Sequence, residues 1–145
     1  MEIMAIIPAR GGSKSIPLKN LKLLNGKPLI DYSINSSIKS KFITRTIVSS
    51  DHPKILKRAE KLGAEILKRP KNLATDSSQL EPVMEHCLNH FKLQENYIPD
   101  IIILLQNTSP LRTKNHIDDA LSTFLDSKFD SMMSCYSSHY FLWTL

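Results

Sequence analysis

The sequence predicts an α/β fold built on a mostly parallel sheet. Three observations carry this. Short apolar runs bounded by turn residues recur along the chain, as strands buried on both faces require. Between them lie segments whose apolar residues repeat at helical spacing. The two kinds of segment alternate, which is the pattern of a sheet with helices packed on its faces.

The first strand is expected over Met1 to Ile7, an apolar run closed by Pro8. A polar loop, "PARGGSKSIPLKN", follows. In "LLNGKPLI", Asn25-Gly26 signals a turn and Pro28 suits the first turn of a helix. Ile30, Ile34 and Ile38 then recur at helical spacing. Thr44 to Ser49 forms the second strand. The next helix is punctuated at both ends, by Asp51 or His52 before Pro53 and by Gly63 after it. Ile55, Leu56, Ala59 and Leu62 make its buried stripe.

Ala64 to Leu67 is a short third strand, followed by a loop from Lys68 to about Ser78. Ser78 and Glu81 stand at capping-box spacing before a helix with the apolar face Leu80, Val83, Met84, Cys87, Leu88 and Phe91. Asp100 to Leu105, "DIIILL", is the strongest strand. A loop "QNTSPLRT" leads to a helix marked by Ile117, Ala120, Leu121, Phe124 and Leu125. "DSMMSCY", Asp130 to Tyr136, reads as a fifth strand. With right-handed crossovers these elements give one three-layer domain, Rossmann-like in the broad sense.

In such sheets ligands bind beyond the carboxyl ends of the strands. That rule selects four loops: Pro8 to Asn20, Ser49 to His52, Lys68 to Ser78, and Gln106 to Thr113. The first holds Gly11-Gly12, where backbone N–H groups can approach an anion closely. It also holds the cations Arg10, Lys14 and Lys19. Backbone donors with three cations suit a triphosphate, whose charge they would orient and neutralise. The pattern is neither GxxxxGK[ST] nor GxGxxG, so ordinary P-loop and dinucleotide chemistry are disfavoured.

Composition narrows the remaining classes. At 145 residues, with 41% hydrophobic and 23% charged residues, the chain fits one soluble domain with a real core. No apolar run is long enough to span a membrane, and the N-terminus lacks the basic region of a signal peptide. Cys87 and Cys135 have no CxxC neighbour, which fits a reducing, cytoplasmic setting. The net charge of +5 suits anionic ligands in general. A nucleic-acid partner is not expected: Lys54, Lys57, Arg58 and Lys61 lie opposite an apolar stripe and read as a solvated helix face. His86 and His90 have the spacing of zinc ligands, but "HCLNH" lacks the Glu of HExxH, and they read as surface histidines.

The opening loop also carries a resemblance. "ARGGSKSIPLKN" is similar to the N-terminal signature of the N-acylneuraminate cytidylyltransferases, the CMP-sialic acid synthetases, close to A-R-x-x-S-K-x-[IL]-P-x-K-N. Pseudaminate and legionaminate enzymes share it. "IVSSDHPKI", "KRPKNLATDSS", "LLQNTSPLRT" and "SHYFLWTL" resemble later family segments at the right intervals, so the likeness covers essentially the whole chain.

The resemblance implies a nucleotidyltransferase fold and a reaction: CTP and a nine-carbon 2-keto acid sugar give the CMP-sugar and pyrophosphate, with magnesium assisting. It implies that Arg10, Gly11, Gly12, Ser13, Lys14 and Lys19 hold the triphosphate, Arg10 and Lys19 being catalytic. Asn20 and Arg69 would contact the cytidine, and Asp76 would help shape the base site. Gln106, Thr108 and Ser109 would face the acid sugar. Residues 1–135 would form the nucleotide-binding domain, and 136–145 the start of a segment used for homodimerisation.

Two departures matter. Asn107 stands where the family has a Pro, which predicts a less rigid loop. The family's magnesium-ligating Asp-x-Asp is absent: Asp118-Asp119 are adjacent, and Asp126 and Asp130 are too far apart. The chain is therefore expected to be a fragment or truncated product that binds CTP weakly and catalyses little alone.

Overall fold

A computed structural model of the chain describes residues 1–135 and 137. Strand β1 (Ile3–Pro8) lies at the centre of a four-stranded parallel sheet. It pairs on one side with β4 (Arg45–Ser50) and on the other with β6 (Ile101–Leu104), and β4 pairs with β5 (Glu65–Lys68). The order is β5-β4-β1-β6. Strands β2 (Leu23–Leu24) and β3 (Lys27–Pro28) form a small antiparallel hairpin. Asn25 and Gly26 both have positive φ at its turn, which is what an Asn-Gly hairpin turn needs.

Helices cover both faces. Ile3, Ala5 and Ile7 of β1 pack against α1 (Leu29–Ile38), α2 (Pro53–Lys61) and α4 (Lys114–Leu125), through Ile30, Ile34, Ile55, Ala59, Ile117 and Leu121. Met4 and Ile6 face the other way, with Ile47 and Leu67, onto Cys87 and Phe91 of α3 (Leu80–Glu95). Period-two alternation thus serves two cores at once, which is why the strand reads as unbroken apolar sequence.

Local signals place the helix ends, with one alternative resolved and two adjustments. At α2 the cap is His52, whose Nδ1 accepts the Lys54 N–H at 3.3 Å. Pro28 precedes α1 as its N-cap and pairs with Leu23. The expected Ser78/Glu81 capping box does not form. The Ser78 hydroxyl accepts from the Thr75 N–H at 3.0 Å and closes that turn, leaving Gln79 at the cap of α3 with no side-chain bond.

Two readings need correction. Residues 130–135 form no strand; Met132 and Met133 are exposed there. An apolar run becomes a strand only when an edge receives its hydrogen bonds. The basic run of α2 is not wholly solvated either. Arg58 Nε donates to Asp31 of α1 at 2.9 Å, and Asp31 is only 2% exposed. Of the two histidines, His90 is exposed and His86 is half-buried. The expected dimerisation segment, 136–145, lies outside the described residues apart from Ser137. Among the described residues no helix is long and apolar enough to cross a membrane.

Candidate functional site

The loops after β1, β5 and β6 converge at the carboxyl edge of the sheet around a cleft of about 330 Å³. Arg10, Ser13, Lys14, Lys19 and Asn20 line it from the β1 loop, and Arg69 and Asp76 from the β5 loop. Gln106, Asn107 and Thr108 close it from the β6 loop. A second hollow, about 440 Å³, adjoins it and shares Arg10, Ser13, Lys14, Thr75 and Asp76, with Gly12 added. The loop after β4 acts from behind: Asp51 and His52 brace the β1 loop rather than line the cleft.

That bracing explains the adjacent glycines. The Gly11 N–H donates to Asp51 Oδ1 at 2.8 Å, so it is occupied within the protein rather than offered to an anion. A Cβ on Gly11 would stand 2.8 Å from His52 Cβ and Cδ2, so only glycine fits there. Gly12 has open space around it and remains exposed. The two glycines thus divide the work: Gly11 packs the loop onto α2's cap, and Gly12 borders the hollow.

Asn20 sits in a single 3₁₀ turn, Lys19–Leu21, and is 6% exposed. Its Nδ2 donates to the Arg10 carbonyl at 3.0 Å, tying the two ends of the loop together. Lys19 is turned to the cleft by the same turn and has no carboxylate partner among the described residues.

Arg69 is 5% exposed. Its Nη2 donates to the Ser49 carbonyl at 2.7 Å and its Nε to the Ser49 hydroxyl at 3.1 Å. Burial lowers its pKa from the ordinary guanidinium value, the charges of Cys87 and Asp51 opposing that and Arg10 adding to it. Among the described residues no carboxylate pairs with it directly. A buried guanidinium satisfied by neutral acceptors keeps its positive field directed at the cleft.

Asp76 has a role the sequence did not signal. Its Oδ1 accepts from Arg10 Nη1 at 2.6 Å, and its Oδ2 lies 3.1 Å from Lys14 Nζ. Hydrogen bonds from Lys14 and then Arg10 hold its carboxyl below the ordinary range. The residue expected to shape a base site is a counter-ion to two of the three loop cations.

On the β6 side, Gln106 and Thr108 border the cleft, and Ser109 borders neither hollow. Ser109 instead sits in a turn, its N–H donating to the Gln106 carbonyl at 3.3 Å. Arg112 Nη2 also donates to that carbonyl, at 2.9 Å. Asn107 is 5% exposed, and its Nδ2 donates to the Pro8 carbonyl at 3.3 Å. The amide therefore ties the β6 loop to the end of β1, where the missing proline had predicted a looser loop.

Sequence reasoning missed Gln79, Leu80 and Val83, which bring the start of α3 to the cleft wall. The signal was available: a helix that follows a parallel strand begins at the strand's carboxyl edge. Its uncapped N–H groups add partial positive charge to that wall. Magnesium does not fit these residues. Among the described residues no group of three or more His, Cys, Asp or Glu side chains could hold a metal, and Asp76, the one carboxylate lining either hollow, is held by Arg10 and Lys14.

Residues 4–139 match the family described as Cytidylyltransferase. The chain is 37% identical to N-acylneuraminate cytidylyltransferase A of Danio rerio over 142 residues, 97% of this chain and 32% of that protein. It is 37% identical to a pseudaminic acid cytidylyltransferase of Campylobacter jejuni over 129 residues, 88% of this chain and 55% of that one. It is 38% identical to CMP-N,N'-diacetyllegionaminic acid synthase of Legionella pneumophila over 122 residues, 83% of this chain and 52% of that one. The chain thus spans about a third to a half of these relatives' lengths. In fold it is similar to CMP:2-keto-3-deoxy-manno-octonic acid synthetase complexed with CTP, with a TM-score of 0.69 at 21% identity over 87% of this chain and 48% of that one.

Proposed function

The chain belongs to the cytidylyltransferase family, and we propose that its cleft binds CTP and serves transfer of CMP to a sialic-acid-type 2-keto sugar acid. One observation carries this reading: Arg10, Lys14 and Lys19 line a single cleft together with Asn20, Arg69, Gln106 and Thr108. The cations suit phosphates, the amide and guanidinium donors suit a base, and the neutral polar side chains suit a sugar.

In the transfer, the sugar's anomeric oxygen forms a bond to the α-phosphorus. The bond from that phosphorus to the bridging oxygen breaks, and pyrophosphate leaves with the electron pair. The hydroxyl proton passes to solvent. Arg10 and Lys19 neutralise the charge that develops on the phosphoryl oxygens, and Lys14 holds the leaving phosphates. Ser13 and the exposed Gly12 backbone, which line the adjoining hollow with Arg10 and Lys14, add donors. These roles are the ones this chain's own side chains would supply.

Calorimetric titration tests the binding half. CTP should bind, and Lys19→Ala should weaken it about tenfold, the worth of one charge-assisted phosphate contact. Absence of CTP binding overturns the reading. Pyrophosphate release from CTP and magnesium with N-acetylneuraminic, legionaminic or pseudaminic acid tests the transfer and identifies the sugar. A second reading, a CTP-binding remnant without turnover, is compatible with the described residues, which hold no carboxylate cage. It requires CTP binding with no pyrophosphate released from any of the three sugars.

A further inference from the structure

We infer that Asp76 is an internal stand-in for phosphate: its carboxylate holds Arg10 and Lys14 at the mouth of the cleft until the nucleotide's phosphates replace it. The inference rests on the reading of this cleft as a triphosphate site. Three features support it. Each Asp76 oxygen takes one cation, Oδ1 at 2.6 Å from Arg10 Nη1 and Oδ2 at 3.1 Å from Lys14 Nζ. This two-oxygen fork has the form that a phosphate would present to the same pair. Second, Asp76 lines both hollows together with its partners and is, among the described residues, the one acidic side chain that does so, so an incoming anion meets it directly.

Third, the pairing is easily displaced. The side chains of Arg10, Lys14 and Asp76 are 32%, 77% and 45% exposed, and ion pairs in water at that exposure are weak. A ligand carrying several negative charges outcompetes one carboxylate for the same cations. Loop stability alone does not require this arrangement. The β1 loop is already fixed by the Asn20 bond to Arg10's carbonyl and by the Asp51 bond to Gly11, and the β5 loop by Arg69 on Ser49. Asp76 instead keeps two cations gathered, Arg10 being 66 residues away in sequence. The same carboxylate opposes the bound anion and is placed to recapture the cations when phosphate leaves.

The test compares the wild-type chain with Asp76→Asn and Asp76→Glu in magnesium-free, low-salt buffer, titrating CTP, inorganic tripolyphosphate and cytidine by calorimetry. Asp76→Asn should bind CTP and tripolyphosphate about fivefold more tightly and cytidine unchanged, with the gain shrinking as salt rises. Asp76→Glu, which keeps the competing charge, should stay near wild type. Unchanged or weaker phosphate binding by Asp76→Asn, with CTP still bound by the wild type, overturns the stand-in alone. So does an equal gain for cytidine, which would mark a general loosening of the loop. Failure of the wild type to bind either CTP or tripolyphosphate overturns the triphosphate reading itself.

Discussion

Gly11 shows how much one residue's chemistry depends on its neighbour. Two adjacent glycines in a polar loop suggest a backbone cradle, yet Gly11 gives its N–H to Asp51 and its side-chain space to His52. Gly11→Ala would force a Cβ into His52, at a cost of about 1–3 kcal/mol, while Gly12→Ala should leave stability within about 0.5 kcal/mol. Urea denaturation of the two variants reads the contrast. Cys87 gives a second prediction at this scale. Burial pushes its thiol up, the Ser49 contact and the Arg69 charge pulling the other way. The unfolded chain therefore ionises first as pH rises. The stability tied to this group is full below the ordinary thiol value of roughly 8.5 and is lost as pH climbs from there through the raised folded value. Wild type minus Cys87→Ala, followed by denaturation from about pH 7 to about pH 10, should show that alkaline loss; a flat difference would refute it.

At the scale of elements, Arg45 links three of them at the edge of the sheet away from the cleft. From the start of β4 its Nε donates to Glu65 of β5 at 2.8 Å and its Nη1 to Glu95 of α3 at 2.8 Å. Its guanidinium lies 4.5 Å from the Phe91 ring centroid and 4.4 Å from that of Tyr97. The carboxylates, Glu65 first, raise its pKa against the opposing effect of burial. Arg45→Ala should cost about 2–3 kcal/mol, and Arg45→Lys should restore little, because an ammonium cannot lie flat between two rings and fork to two acids. CTP affinity should hardly change, since the cluster stands at the opposite edge. None of this was readable locally: Arg45, Glu65, Phe91 and Tyr97 are scattered, and only α3's path back across the sheet joins them. The elements themselves were readable, because each strand and helix carries its own period. One exception, residues 130–135, is a segment whose strand state required a partner edge; another is the short β2–β3 hairpin, of which only the Asn25-Gly26 turn was legible.

For the whole molecule, the consequence is a central strand with no solvent face: Ile3 to Ile7 of β1 are buried on both sides. Ile6 packs against Met4, Ile47 and Phe91, and Ile7 belongs to the core of α1, α2 and α4. Ile6→Ala and Ile7→Ala should therefore each cost about 2–5 kcal/mol, where a one-sided sheet would lose stability at only one of the two. Urea melts of both variants check it. The sequence by itself determined this architecture, since unbroken apolar strands alternating with amphipathic helices have few other ways to bury their surface. It also determined which loops stand at the ligand edge, because strand direction follows chain order in a parallel sheet. Tertiary structure alone decided what each loop residue does there. Asp76 became a counter-ion, Gly11 a packing contact, and Asn107 a tie to β1. Such roles depend on a partner tens of residues away, and a local pattern holds no record of the distance at which two loops will meet.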